Sequence, residues 1–356
     1  NFIEHMLQPR IALPAAILVL VLAMTGGAAA QGVIVAPQQP QHIPCCSGSS
    51  SVSSCILVVN SVNSIIINCD QPEKIVSLDI SLNNANVTIN NSRFARVQLT
   101  DTSLQGLRLS VLDSNLGSFL AVNATLSAST LAFRDVTMNE TIPMPNGTFS
   151  GGTSSPGMPA DVVANFVFAS SSLIESQIVI ESVNATATDT RASGGVSSDA
   201  SFCLLHETHM ATTTNVTVDE TSFTGACDKG NVTAISLVGC SISEASSISV
   251  SNFSASLSAE NNATAFHVQR SNLSGAVISA VNVTSESTTL SNTFRTGGAG
   301  FFAAHDSTVL TGRSRLHFSK VDVTAIATGK SAAEFGFKFF NGTVAEPAPD
   351  DPTGES

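Results

Sequence analysis

Apolar residues recur along this chain on a ruler that no helix uses. Counted from Phe166 in "NFVFASSSLIESQIVIESVNAT", Leu173, Ile178, Ile180 and Val183 stand at +7, +12, +14 and +17. Counted from Phe266 in "TAFHVQRSNLSGAVISAVNVTS", Leu273, Ile278, Ala280 and Val283 fall at the same steps, and from Phe119 so do Leu126, Leu131, Phe133 and Val136. Within each unit the apolar positions form pairs two apart, such as Val97 with Leu99, Phe166 with Phe168 and Ile178 with Ile180. A period of two belongs to a strand with one face turned inward. The residues between the pairs are Ser, Asn, Asp, Gly and Thr, which form turns.

The ruler extends in both directions. Val97 leads Leu104, Leu109 and Val111, and Ile75 leads Leu82, Val87 and Ile89, so that the starts Ile75, Val97 and Phe119 are 22 residues apart. Ile235 and Phe302 open units with one or two residues added, Phe202 opens a looser one, and Phe335 with Phe337 begins one more. Short strands on a shared circuit predict an all-β fold, a right-handed parallel β-helix (β-solenoid) of pectin-lyase-like type, in which each circuit stacks on the last. Coils are expected near Ser53, Ile75, Val97, Phe119, Phe166, Phe202, Ile235, Phe266 and Phe302. These about nine coils, at roughly 4.8 Å each, would make a rod on the order of 40 Å long. The solenoid is assigned to residues 53–345, after a linker or cap at 31–52 and before an acidic tail at 346–356 that is expected to be disordered. The longer steps hold their extra residues in one place, after the second strand pair: Asn139 to Val163, Asp189 to Ser201 and Ser285 to Gly300. Insertions confined to one turn should leave one flank of the rod, where repeat proteins carry their contacts.

Composition narrows the class. The chain has 43% hydrophobic residues, enough for a continuous core, but no Trp or Tyr and only 12% charged residues; Ser and Thr make up about a quarter. With a net charge of −12 and its 15 basic residues scattered singly, no surface could neutralise several phosphates together, which disfavours nucleic acid as a partner. Residues 1–30 read as a secretory signal with upstream residues: Arg10, the apolar run Ile11 to Met24, then small residues to Ala30. That run is shorter than the roughly 20 residues of a membrane-spanning helix. Residues upstream of Met6 and the unfinished last repeat suggest a fragment or truncated gene product.

A secretory route gives meaning to two further tallies. Thirteen Asn-X-Ser/Thr sequons stand at Asn86, Asn90, Asn123, Asn139, Asn146, Asn184, Asn215, Asn231, Asn252, Asn262, Asn272, Asn282 and Asn341, candidates for N-glycosylation. Of seven cysteines, Cys45, Cys46, Cys55 and Cys69 suggest two disulfides in an N-terminal cap, with three possible connectivities. Cys203, Cys227 and Cys240 leave one thiol free, paired between chains, or lacking its partner.

A catalytic constellation is not evident. A calcium-dependent lyase site would need several carboxylates on adjacent coils beside an Arg or Lys, and a glycoside hydrolase site paired Asp residues beside a His. Asp79, Asp101 and Asp113 are the only acidic series; Asp79 and Asp101 stand one circuit apart and are expected in one column with Asn123 and Asp306, and an Asn and Asp turn ladder accounts for them. His206 and His209 in "HETH" lack a third ligand, and His267, His305 and His317 stand without a triad pattern. No catalytic, metal or cofactor-binding residue is assigned, and no cofactor is expected.

The repeats "GCSISEASSISVSNFSAS", "DTSLQGLRLSVLDSNLGSFLAV" and "ESTTLSNTFRTGGAGFFAAHDSTVLTG" resemble, over about Ile75 to Phe340, the dispersed gene family proteins on the surface of trypanosomatid parasites. The resemblance implies a long glycosylated β-helical surface molecule with an adhesive role; membrane segments of that family are not found in this shorter chain. The expected function is a secreted or cell-surface display scaffold that meets glycans, extracellular matrix or host-cell surface proteins. A polysaccharide lyase or hydrolase on the same scaffold, and a non-functional truncated copy, are the alternatives.

Overall fold

The computed structural model describes residues 41–43, 54–59, 64–141, 144–145, 161–189, 198–228, 230–243, 245–289, 298–306, 308–327, 332–333, 337–339 and 343–344. Among them every regular element is a strand, gathered into one sheet of 25 strands and one of eight. The pairing is parallel throughout except between Met144–Pro145 and Asp161–Ala169. The arrangement is consistent with a β-solenoid, each strand lying on the equivalent strand of the circuit before it.

Four walls recur from circuit to circuit, the second from Ser103 onward. The first carries the file Val76, Val97, Phe119, Phe166, Cys203, Ile235, Phe266, Phe302 and Phe337, paired residue to residue. Phe119, Phe166, Phe266 and Phe302 therefore share one file, as the spacing predicts. The second wall is the eight-stranded sheet, with Leu104, Leu126, Leu173, Met210, Ile242, Leu273, Leu310 and Val344 in register. The third aligns Val87, Leu109, Leu131, Ile178, Val216, Ile248, Ile278 and Leu316. The fourth aligns Leu116, Met138, Ala185, Phe223, Ala255 and Ser285.

Three expected starts move by one or two residues. Val76 holds the file rather than Ile75: a register irregularity between Gln71 and Ile75 takes up two residues, and the circuit from Val76 to Val97 is 21 residues long. Cys203 replaces Phe202, and Phe337 replaces Phe335. Strand Gln41–Ile43 also pairs with Ser64–Ile67, ahead of position 53.

Turns between walls form their own files. Asp101, Asn123, Ser170, Glu207, Gly239, Arg270 and Asp306 follow the first wall, and all have positive φ. Asn91, Asp113, Asp135, Ser182, Glu220, Asn252, Asn282 and Lys320 do the same between the third and fourth walls. Asn, Asp and Gly tolerate this conformation best, which is why they punctuate the sequence. Directly after each turn a small polar residue is often buried, and its hydroxyl serves two circuits. Ser171 Oγ donates to Ala121 O (3.1 Å) and Ala169 O (2.8 Å), and accepts from the Ala124 amide at 3.2 Å. Thr208, Ser271 and Thr308 occupy the equivalent place, as do Ser129, Ser176, Thr214 and Ser314 at the next corner. Buried backbone groups that the turns would leave unpaired are thus satisfied.

The core is apolar and aromatic at its centre. Phe133 lies 4.9 Å from both Phe119 and Phe166, and Phe166 lies 5.3 Å from Phe202, all edge-on. Such geometry adds about 0.5–1.5 kcal/mol per pair beyond area burial. The first wall is buried on its outer surface too. Leu120, Val122, Val162, Ala164, Val167, Ala169, Leu204 and Val238 form a second apolar cluster there, as expected of parallel strands covered on both faces.

Candidate functional site

The circuits widen abruptly at Thr137. Before it, Asn115 and Leu116 lead through a tight corner at Gly117, where a Cβ would lie 2.2 Å from Ala95 O. After it, the fourth wall runs on as Thr137–Glu140, Asn184–Asp189 and Ser222–Cys227, and the chain returns through Asp161–Ala169, Ser198–His206 and Val232–Val238. Those extra residues make a lobe lined by Ala187, Gly225, Leu257 and Ser287 on one side and Ala200, Val232, Ala263 and Ala299 on the other. Small residues suit a lobe only two strands thick. At Gly225 an added Cβ would meet Val232 at 2.4 Å and the Phe223 ring at 2.8 Å.

The expected insertions leave from this lobe, and they are shorter than the sequence suggests. Strands continue through Glu140, Asp189 and Thr289, and resume at Asp161, Ser198 and Gly298. Asp189 and Thr289 share a register file through Cys227 and Ala259, and Glu140 pairs with Ala187 two residues earlier. Of the residues between, only Thr141, Met144 and Pro145 are described.

Where the lobe begins, its interior is closed by charge instead of carbon. Arg96 Nη2 lies 3.1 Å from Glu140 Oε2, with side-chain exposures of 13% and 3%. Arg96 Nε donates to Ser118 Oγ at 3.0 Å, and Ser118 Oγ donates to Glu140. Asn165 Nδ2 bridges onward to Thr186 O at 2.9 Å. In later circuits Phe202 and Phe301 fill the equivalent corner. The Glu140 carboxylate therefore faces the interior, beside an arginine, and away from any ligand on the surface.

At the return edge of the lobe a second polar file stands. Asp199 Oδ1 accepts from the Asn231 amide (2.8 Å) and from Asn231 Nδ2 (3.0 Å). Asn262 Nδ2 donates to Asn231 Oδ1 at 2.7 Å, and Gly298 N donates to Asn262 Oδ1 at 3.0 Å. Burial pushes the Asp199 carboxyl up to about 6, against the opposing hydrogen bonds from Asn231.

The remaining candidates disperse. Asp101 and Asp306 are turn residues; Asn123 Nδ2 donates to Asp101 at 2.7 Å and Gln269 Nε2 to Asp306 at 2.6 Å. The register Ser77↔Gln98 sets Asp79 opposite Thr100, out of that file, and Asp113 belongs to the other turn file. His206 is buried on the outer surface of the first wall while His209 is exposed on the second, so the two do not converge. Burial also lowers the His206 imidazole's proton affinity. His267 Nδ1 stands 3.4 Å from Ser236 Oγ, longer than the about 2.6–3.2 Å of a poised nucleophile and base. His317 is exposed, and the side chain of His305 lies outside the described residues. Among the described residues no group of three or more His, Cys, Asp or Glu side chains is placed to hold a metal.

Cys203 and Cys240 are buried thiols, both pushed up to about 12 by desolvation, and so are poor nucleophiles. Cys69 and Cys227 are also buried. Cys45, Cys46 and the Cys55 side chain lie outside the described residues, as do the signal segment, the acidic tail, Asn146 and Asn341. Of the described sequons, Asn123, Asn139, Asn184, Asn252, Asn272 and Asn282 are exposed; Asn86, Asn90, Asn215, Asn231 and Asn262 are half-buried. Among the described residues no helix is long and apolar enough to cross a membrane. Comparison with protein-family models, curated proteins and solved structures finds no match.

Proposed function

We propose that this chain is a secreted or cell-surface glycoprotein whose β-solenoid is a rigid display scaffold, meeting glycans, extracellular matrix or host-cell surface proteins through the insertions at its lobe. The scaffold is read as a right-handed, pectin-lyase-like helix of about nine coils, the 22-residue circuits setting its narrow end. The observation that carries the reading is the shared register of Asp189 and Thr289, from which successive insertions depart on one flank. Display of variable segments from one edge of an invariant stack is how repeat proteins build contact surfaces. The signal segment, the sequons and the four cysteines Cys45, Cys46, Cys55 and Cys69 near the start of the solenoid accord with passage through an oxidising compartment. Resemblance to the dispersed gene family surface proteins points the same way.

A lyase or hydrolase on this scaffold is the alternative, and it needs carboxylates gathered on an outward groove. Asp101 and Asp306 lie instead in a turn file, and Glu140 points inward. The test is saturable binding of the secreted, glycosylated chain from Gln31 onward to glycan arrays and cultured cells. Binding that is lost when residues 146–159, 190–197 and 290–297 are each replaced by Gly-Ser linkers is expected. Binding unaffected by all three replacements, or no saturable binding, would overturn the proposal.

A further inference from the structure

The sequons differ in what their side chains already do. At the lobe's return edge, Asn231 Nδ2 is held between both carboxylate oxygens of Asp199, at 3.0 and 3.2 Å, while its Oδ1 accepts from Asn262 Nδ2. Asn262 Oδ1 in turn receives the Gly298 amide, so both side-chain amides join consecutive circuits. The hydroxyl residues of the same two sequons are buried as well, Thr233 and Thr264, and Thr233 Oγ1 donates to Ser201 Oγ at 3.2 Å. Elsewhere the picture reverses. Asn139, Asn184 and Asn272 are exposed, their Nδ2 amides donate to no described residue, and only Asn184 Oδ1 is engaged, by Ser222 Oγ at 3.1 Å.

Nδ2 is the atom that N-glycosylation converts: one N–H bond and the anomeric carbon's bond to the diphosphate of an activated glycosyl donor break, the N–C bond forms, and the proton and the diphosphate leave. A sugar on Asn231 would have to break the Nδ2 bonds to Asp199 in a half-buried site, leaving that carboxylate only the Asn231 backbone amide, which costs more than losing an exposed bond. Adjacent circuits are also only about 4.8 Å apart, so Asn231 and Asn262 leave little room for a sugar on either. Resting on the glycoprotein reading above, we infer that Asn139, Asn184 and Asn272 carry sugar in the folded protein, whereas Asn231 and Asn262 are structural amides that stay unmodified. The return edge of the lobe, beside the departing insertions, is then bare of glycan on the described residues.

The test is site-by-site occupancy of the secreted protein from a eukaryotic host, by glycopeptide mass spectrometry with deglycosylation in heavy-oxygen water. Occupancy at Asn139, Asn184 and Asn272 at least tenfold above that at Asn231 and Asn262 is expected. Occupancy of Asn231 or Asn262 equal to that of Asn184 would overturn the inference while leaving the glycoprotein reading standing. Sugar at no sequon would overturn both. A second arm uses unglycosylated bacterial protein: Asn231→Ala should lower the melting temperature by several degrees and Asn272→Ala should leave it unchanged. Equal effects of the two would also refute a structural role for Asn231.

Discussion

Removing one member of the Arg96 and Glu140 pair should be far more damaging than removing both. Arg96→Met leaves the Glu140 carboxylate, 3% exposed, without its guanidinium; Glu140→Leu leaves a guanidinium of 13% exposure without that carboxylate. Breaking a buried pair in this way costs about 3–5 kcal/mol, whereas replacing both partners by apolar groups of similar volume is often neutral. Each single variant should therefore lose about 3 kcal/mol, and the double variant Arg96→Met with Glu140→Leu no more than about 1, since the later circuits fill this corner with Phe202 and Phe301. Arg96→Lys should fall between, because lysine keeps the charge but cannot reach Ser118 Oγ and Glu140 Oε2 in one fork. Urea denaturation followed by far-ultraviolet circular dichroism reads all four, provided the slope with denaturant is unchanged among them. Single variants losing less than about 1 kcal/mol would show a solvent-screened pair and a wet corner, contrary to the closed lobe described above.

Two more outcomes follow from the same geometry. Because the folded-state pKa of Asp199 is raised from 3.8 to about 6, the native chain holds this proton more tightly than the unfolded one. Stability should thus fall as pH rises through that window, by at most about 3 kcal/mol, and level off above it; Asp199→Asn should flatten the profile measured by denaturation at each pH. Ala128 sits at φ 47° in a turn file where Gly106 and Gly275 occupy equivalent places. Ala128→Gly should raise stability by about 0.5–1 kcal/mol, and a loss on thermal melting would contradict the assigned backbone.

The files of the walls were legible because they are made of large apolar residues at a fixed count: Leu126, Leu173 and Leu273 each stand seven after their starts and in one register. The count slips by one or two residues where local chemistry hides it. The irregularity before Ile75 leaves no trace in composition, and Phe202 outweighs Cys203 in hydropathy although Phe202 belongs to the corner of the lobe. The lobe merges with the insertions in sequence, since its inward residues are Ala187, Ala200, Gly225 and Ser287, which look like turn or loop residues. Glu140 in "TMNE" resembles any exposed carboxylate; only stacking places it over Ser118 and Arg96. The Asn231 amide was equally invisible, because a sequon and a ladder asparagine are spelled alike.

The stacked, in-register circuit is the claim on which all of this rests, and spin-label distances test it most directly. Asn115, Thr137, Asn184, Ser222, Ser254, Thr284 and Asp322 form one outward file of the fourth wall. Labels pairing Asp322 with Ser222, Thr137 and Asn115 span three, five and six steps, so backbone separations of about 14, 24 and 29 Å are predicted at about 4.8 Å per step. These values should rise evenly with steps, although the sequence separation per step varies between 22 and 47 residues. Distances that instead scale with the number of intervening residues, or that fail to rise in that order, would contradict the fold.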